Sequence, residues 1–318
     1  MQPTPQTPRA QQRSLPQAGA RLAFGFQVLV FLTFCLIVLG ALVRANGAGL
    51  ACPDWPLCFG DLIPEIDVKV GFEWSHRVLA GSVTALFAFL GWSAWRRPSR
   101  SRYVTTLLTA GTALIAVQVI LGALTVWLQL APWTVTAHLI TGNSFASIVF
   151  LLALAFRTPE AASGIHPRVS LRKRIWITAT AGLLLLQLGL GGLVASRYAG
   201  MACPEWPTCN GGVWFPAWEG GVGIHLLHRI TAYALIVCLG LAAFGCRRDG
   251  RLRVATAFAF AIGLVQVAIG VANVIYGIPT ALTGLHTALA AALVLTLVFA
   301  LQRAWSAAGE RGPLLSTQ

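Results

Sequence analysis

Charge is what this chain has least of. Only 10% of its 318 residues are Asp, Glu, Lys or Arg, where a soluble domain carries about 25%. Acidic residues number ten, and Lys69 and Lys173 are the only lysines. So little polar surface cannot clothe a water-soluble globule of this size, and 56% hydrophobic residues with a mean hydropathy of +0.72 place the chain in a lipid bilayer. A formal net charge of +13 would suit a nucleic-acid binder, but the position of the charges excludes that partner.

Apolar runs long enough to span (about 20 residues) fall at roughly 24–43, 74–95, 103–128, 133–156, 175–196, 224–245, 254–275 and 280–302. The arginines gather between spans 2 and 3 (Arg96, Arg97, Arg100, Arg102), 4 and 5 (Arg157, Arg168, Arg172, Arg174, with Lys173) and 6 and 7 (Arg247, Arg248, Arg251, Arg253). The alternate loops mix Arg44, Lys69 and Arg197 with acids such as Asp54, Glu65 and Glu205. The positive-inside rule then puts both termini and the arginine-rich loops in the cytoplasm. Residues 1–20, rich in Pro and Gln, read as a disordered cytoplasmic tail. The first apolar run lacks a small-residue cleavage pattern and reads as a retained span.

The chain repeats itself. Residues 40–60, GALVRANGAGLACPDWPLCFG, and 191–211, GGLVASRYAGMACPEWPTCNG, agree at 12 of 21 positions without a gap. Each copy leads to a His-Arg pair, His76-Arg77 and His228-Arg229, and a single histidine follows later in each half, His138 and His286. The expected fold is therefore all-α and integral to the membrane: eight transmembrane helices as two tandem, pseudo-symmetric four-helix bundles. The halves run 21–160 and 175–305, with a cytoplasmic linker at 161–174 and a cytoplasmic tail at 306–318.

Cys35, Cys238 and Cys246 lie in or at the ends of spans, where a thiol behaves as a small hydrophobe. Cys52/Cys58 and Cys203/Cys209 lie in the repeated loops, outside the cytoplasm, where thiols tend to be oxidised. Prolines 53 and 56, and 204 and 207, restrict the backbone between each pair. The pairs either staple their loops as disulfides or exchange electrons with a thiol protein. A zinc site drawing on all four thiols would have to join loops half a protein apart.

Ionisable side chains inside a span are costly and usually functional. His76, His138, His228 and His286 enter from the same side, each half offering two imidazoles at similar depth, and bundle cores are common cofactor sites. Zinc would want a third and a fourth ligand; two imidazoles without them suit the axial positions of a haem. Glycines such as Gly122, Gly142, Gly191, Gly192, Gly270 and Gly284 allow close helix approach and leave room for a flat macrocycle. His166, beside Pro167 in a basic loop, reads as merely solvated.

The repeat breaks at one place. Glu73 stands three residues before His76, on the same helical face, and its counterpart is His225. A carboxylate beside a cofactor in one half only suggests different work in the two halves, although an interfacial acid paired with Arg77 would also account for it. Arg77 and Arg229 lie near the rim, where they would contact haem propionates or snorkel to headgroups. Gln118, Gln187 and Gln266 bond between helices or line the cavity.

With these residues assembled, the chain resembles the haem A synthase family over nearly its whole length. The resemblance rests on Glu73-x-x-His76-Arg77, His228-Arg229, His138, His286 and the two cysteine pairs. It implies an oxidoreductase of the cell (inner) membrane that oxidises the C8 methyl of haem O to a formyl group for terminal oxidase biogenesis. It further implies that His76 and His138 ligate the substrate haem in the first half, that His228 and His286 ligate haem b in the second, and that Glu73 is catalytic. Cys52/Cys58 would serve activity or haem transfer. Haem O synthase and an electron or thiol donor would be partners. Rival readings are a dihaem b-type membrane electron-transfer protein, a quinone-linked thiol–disulfide oxidoreductase and a haem chaperone.

Overall fold

Eight apolar runs become eight helices, because backbone polar groups in hydrocarbon must find their partners within the segment. The computed structural model describes residues 14–98, 100–157 and 169–306, with the backbone alone for 14–18. The helices are α1 (Ser14–Ala45), α2 (Val68–Trp95), α3 (Arg102–Trp127), α4 (Pro132–Arg157), α5 (Leu171–Ser196), α6 (Gly220–Cys246), α7 (Arg253–Ile275) and α8 (Thr280–Trp305). All eight are long and apolar enough to cross a membrane. Among the described residues there is no strand, only a bridge in each cysteine loop, Cys58 with Asp61 and Asn210 with Val213. His166 lies outside the described residues.

Four helix starts differ from the sequence reading, those of α1, α2, α5 and α6. The backbone is helical from Ser14, inside the segment expected to be a disordered tail, and Pro16 falls in the first turn, where its missing N–H is no loss. Residues Val68–Glu73 belong to α2, whose start is fixed by Asp67 accepting the Val70 N–H at 2.8 Å. This turn holds Lys69 and Glu73, so hydropathy alone misses it. Likewise α5 starts at Leu171, within the segment read as the linker, and α6 at Gly220, each four residues early. His76 and His228 therefore both lie eight residues into their helices, and His138 and His286 both six. At 1.5 Å per residue these depths are about 12 and 9 Å.

In the second half α5 packs on α6, α6 on α7, α7 on α8 and α8 on α5, closing a ring of four helices. The first half has the same neighbours except that α2 and α3 barely touch. One of their contacts lies eleven residues past His76 on α2, where Phe87 rests on Gly111 beside a core that includes Phe26, Phe145 and Leu152. The halves meet through α1, α4, α5 and α8, where small residues allow close approach: a Cβ on Gly284 would lie 2.9 Å from Leu42, and one on Gly192 3.0 Å from Thr136.

Candidate functional site

At one end of the bundle the two cysteine loops cover the histidines. Cys52–Cys58 and Cys203–Cys209 are both disulfides, and all four residues are buried. Both loops contain a cis Trp–Pro bond, Trp55–Pro56 and Trp206–Pro207. Each turn closes on a carboxylate. Asp54 accepts the N–H of Phe59 and Gly60 at 2.6 and 2.8 Å, and Glu205 accepts those of Gly211 and Gly212 at 2.9 and 3.0 Å, with the Thr208 hydroxyl as a further donor. Positive φ at Gly60 (79°) and Gly212 (76°) explains why glycine stands at both positions.

Those bonds set a pH dependence. The Gly60 N–H first, then that of Phe59, holds Asp54 below its usual 3.8, and the Gly212 N–H first, then Thr208, holds Glu205 below its usual 4.5. A carboxylate with a depressed folded-state value stabilises fully above its unfolded value, and that contribution is lost as pH falls through the folded one. We therefore expect the protection of the Phe59, Gly60, Gly211 and Gly212 amides, exchange being taken relative to the intrinsic rate at each pH, to be level near neutrality and to fall only once pH drops below 4.5 for the Glu205 loop and 3.8 for the Asp54 loop.

Arg77 and Arg229 fasten these loops to α2 and α6. Arg77 donates Nη1 to the carbonyls of Asp54 and Leu57, Nη2 to that of Cys52 at 3.2 Å and Nε to Glu73 Oε1 at 3.0 Å. Arg229 donates Nη1 to Thr208 O, Nη2 to Cys203 O and Glu205 O, and Nε to His225 Nε2 at 3.2 Å. Neither guanidinium snorkels to headgroups, and in each, four of five N–H groups are engaged. Sequence position placed these arginines at the rim but gave no sign that loop carbonyls fold back onto them. Replacing Arg229 with Gln should cost at least about 1.5–3 kcal/mol, the worth of one hydrogen bond to a charged group. Faster proteolysis between 203 and 219 than in the parent protein checks this; unchanged cleavage would mean that the loop holds itself.

Glu73 and His225 occupy the same place relative to their arginines, and both are buried, at 7% and 4% exposure. His225 Nδ1 donates to Ala199 O at 3.0 Å while Nε2 accepts from Arg229. Both ring nitrogens are thus spent, in the pattern of a neutral ring. Glu73 by contrast brings a carboxylate to the same depth, one turn from His76.

The four histidines share one construction: each ring rests on a glycine of the preceding helix. A Cβ would come within 3.1 Å of the Cε1 of His76 on Gly40, of His228 on Gly191 and of His286 on Gly270, and within 3.6 Å of that of His138 on Gly122. Gly40 and Gly191 are the first residues of the repeated segment, and Gly40 escaped sequence reasoning, which had no reason to prefer it among 32 glycines. His76 and His138 stand within electrostatic range of each other, as do His228 and His286. The Nδ1 atoms of His76, His138 and His286 are buried without a hydrogen-bond partner. No cluster of three or more His, Cys, Asp or Glu able to hold a metal ion occurs among the described residues, and the disulfides take up the four thiols of the zinc alternative. Paired, half-buried imidazoles seated on glycines, without third and fourth protein ligands, fit the axial positions of a haem in each half.

The sequence pattern of the cytochrome oxidase assembly proteins designated COX15-CtaA matches residues 24–71 and 65–298. The chain is 34% identical over 209 residues to the haem A synthase of Alkalihalophilus pseudofirmus, covering 64% of this chain and 70% of the relative. It is 30% identical over 235 residues to that of Halalkalibacterium halodurans (72% and 75% covered) and 28% identical over 319 residues to that of Shewanella oneidensis (87% and 95%). With eight spanning helices and a match over most of its length, this multi-pass membrane protein belongs to the COX15-CtaA family of cytochrome oxidase assembly proteins.

Proposed function

We propose that this chain is a haem A synthase: an oxidoreductase that takes haem O from the bilayer and oxidises its C8 methyl to a formyl group. His76 and His138 hold the substrate haem, His228 and His286 hold haem b, and Glu73 acts on the methyl carbon. One observation carries this reading. The halves present imidazoles on glycines in the same way, yet beside the first pair lies a carboxylate, Glu73, and beside the second a fully bonded neutral ring, His225. The sparse α2–α3 contact supports an exchangeable haem in the first half and the closed ring a resident one in the second. The names of the relatives favour the synthase over a dihaem cytochrome, a quinone-linked thiol oxidoreductase or a haem chaperone.

Turning a methyl into a formyl group breaks C–H bonds on the macrocycle rim and puts an oxygen atom on that carbon. Two successive oxygenations, each consuming one dioxygen with two electrons and two protons from a donor and releasing one water, would give a geminal diol that loses water to the formyl group. Glu73, held by Arg77 in a low-dielectric site, accepts protons there or stabilises developing positive charge. Arg77 and Arg229 keep the disulfide loops closed over the imidazoles, and each has one N–H left for a propionate. Haem b, when bound, supplies a one-electron redox centre. The disulfide loops face the outside of the cell (inner) membrane and the arginine-rich loops the cytoplasm. Haem O synthase upstream, and an electron or thiol donor, are the partners this chemistry needs. The test is to express the chain in cells that make haem O but no haem A and to extract the pigments. Haem A or its hydroxylated precursor supports the synthase; haem O left unchanged sinks it.

A further inference from the structure

The halves differ a second time, one turn past their His-Arg pairs. Residues 73–81, EWSHRVLAG, align without a gap with 225–233, HLLHRITAY, so Gly81 stands where the second half has Tyr233. Glu73, Arg77 and Gly81 are four apart and form one stripe along α2, as His225, Arg229 and Tyr233 do along α6. In the second half that stripe is covered: the indole N–H of Trp206 donates to the Tyr233 hydroxyl at 3.1 Å and pins the cysteine loop to α6. In the first half Trp55, the equivalent of Trp206, turns instead to Trp127 at the end of α3, with ring centroids 6.0 Å apart and planes at 82°. Gly81 is exposed, and a Cβ on it would meet nothing within 4 Å.

The uncovered stripe borders the gap between α2 and α3. On α2, Leu90 meets α1 at Gly25 and Phe87 meets α3 at Gly111. At about 100° per residue, the stripe of Glu73, Arg77 and Gly81 falls beyond Phe87, on the α3 side. There α2 and α3 barely touch, whereas α6 packs along α7. Glycine is among the poorest residues for a helix interior, and no protein contact calls for it at position 81. What glycine gives that position is clearance.

Haem O differs from haem b in carrying a long hydroxyethylfarnesyl tail on C2. The C8 methyl and the C2 tail leave the macrocycle from one edge, on neighbouring pyrroles. A ring that turns its propionates to the cysteine loop and its C8 methyl to Glu73 therefore sends its tail deeper along the same stripe. Gly81 lies eight residues below Glu73, about 12 Å along the helix. We propose that Gly81 and Tyr233 are specificity-determining residues: the clearance at Gly81 admits the farnesyl tail to the first half, and Tyr233, held by Trp206, denies it to the second. The proposal rests on His76 and His138 holding haem O and on Glu73 facing its C8 methyl.

The haem inventory of the full chain tests this. Each variant is made in cells that supply haem O and haem b and is then purified. Its pigments are extracted and counted against protein, with haem O and its oxidised products summed as farnesylated haem. Gly81→Tyr should lower farnesylated haem at least about tenfold, because losing the burial of about two methylene groups of the tail already weakens binding that much. Haem b should hold at its wild-type level or rise, since a haem without the tail still fits between His76 and His138. Tyr233→Gly should bring farnesylated haem into the second half at the expense of haem b. Farnesylated haem at the wild-type level in Gly81→Tyr overturns the proposal. If Gly81→Tyr loses both haems, its helices have failed to pack and Tyr233→Gly decides: unchanged haem b there overturns the proposal too. The assignment beneath is checked separately. Farnesylated haem that survives both His76→Ala and His138→Ala removes the first half as its site, whereas a Gly81→Tyr that keeps it leaves that assignment standing.

Discussion

Glu73→Gln will keep both haems bound and stop haem A from forming. The glutamine carbonyl still accepts the Arg77 Nε–H that Glu73 Oε1 accepts at 3.0 Å, so the guanidinium keeps its grip on the loop carbonyls of Cys52, Asp54 and Leu57. Only the negative charge and the proton-accepting oxygen are lost. A positioned acid or base contributes about 10²–10⁴ in rate, so the haem A to haem O ratio in extracts should fall by at least two orders of magnitude. Alanine would be a poorer probe, because it also frees Arg77 Nε. Gln in place of His225, in the other half, should leave conversion close to wild type. Normal haem A from Glu73→Gln would end the catalytic role assigned to Glu73.

His228→Ala will strip haem b from the protein while leaving haem O in place. The ring is seated on Gly191 and held by Gln187, so its loss removes a ligand and opens a void that no neighbour fills. Even losing an outer-shell partner typically costs a metal site about 10–100-fold in affinity, and losing the ligand should exceed that. Haem b per chain, read from the pyridine haemochrome spectrum, should drop more than about tenfold, an effect no smaller than the outer-shell cost. Haem O binding through His76 and His138 should persist, because His228 lies on α6, which is not among the helices (α1, α4, α5 and α8) through which the halves meet. Unchanged haem b would refute the assignment of His228.

The spans were legible because hydropathy in a bilayer leaves little choice, and the repeat made the matched histidines legible. The contrast of Glu73 with His225 was legible as a mismatch in that repeat. What each does was not, since His225 satisfies its ring through the Ala199 peptide carbonyl, and carbonyls leave no mark in a sequence. The same blindness hid the task of Arg77 and Arg229. The start of α2 was missed because an Asp67 cap, not apolarity, sets it. The glycine under each imidazole carries meaning only once the facing helix is known. That is why Gly40 was overlooked.

The central claim is that the halves hold haem alike and differ in what is done to it. The most direct measurement is the haem inventory of purified Glu73→Gln made in cells that supply haem O, with pigments separated and counted against protein. The account predicts one haem b and one haem O per chain, with no haem A. Two haems b per chain would contradict it and make this a dihaem cytochrome.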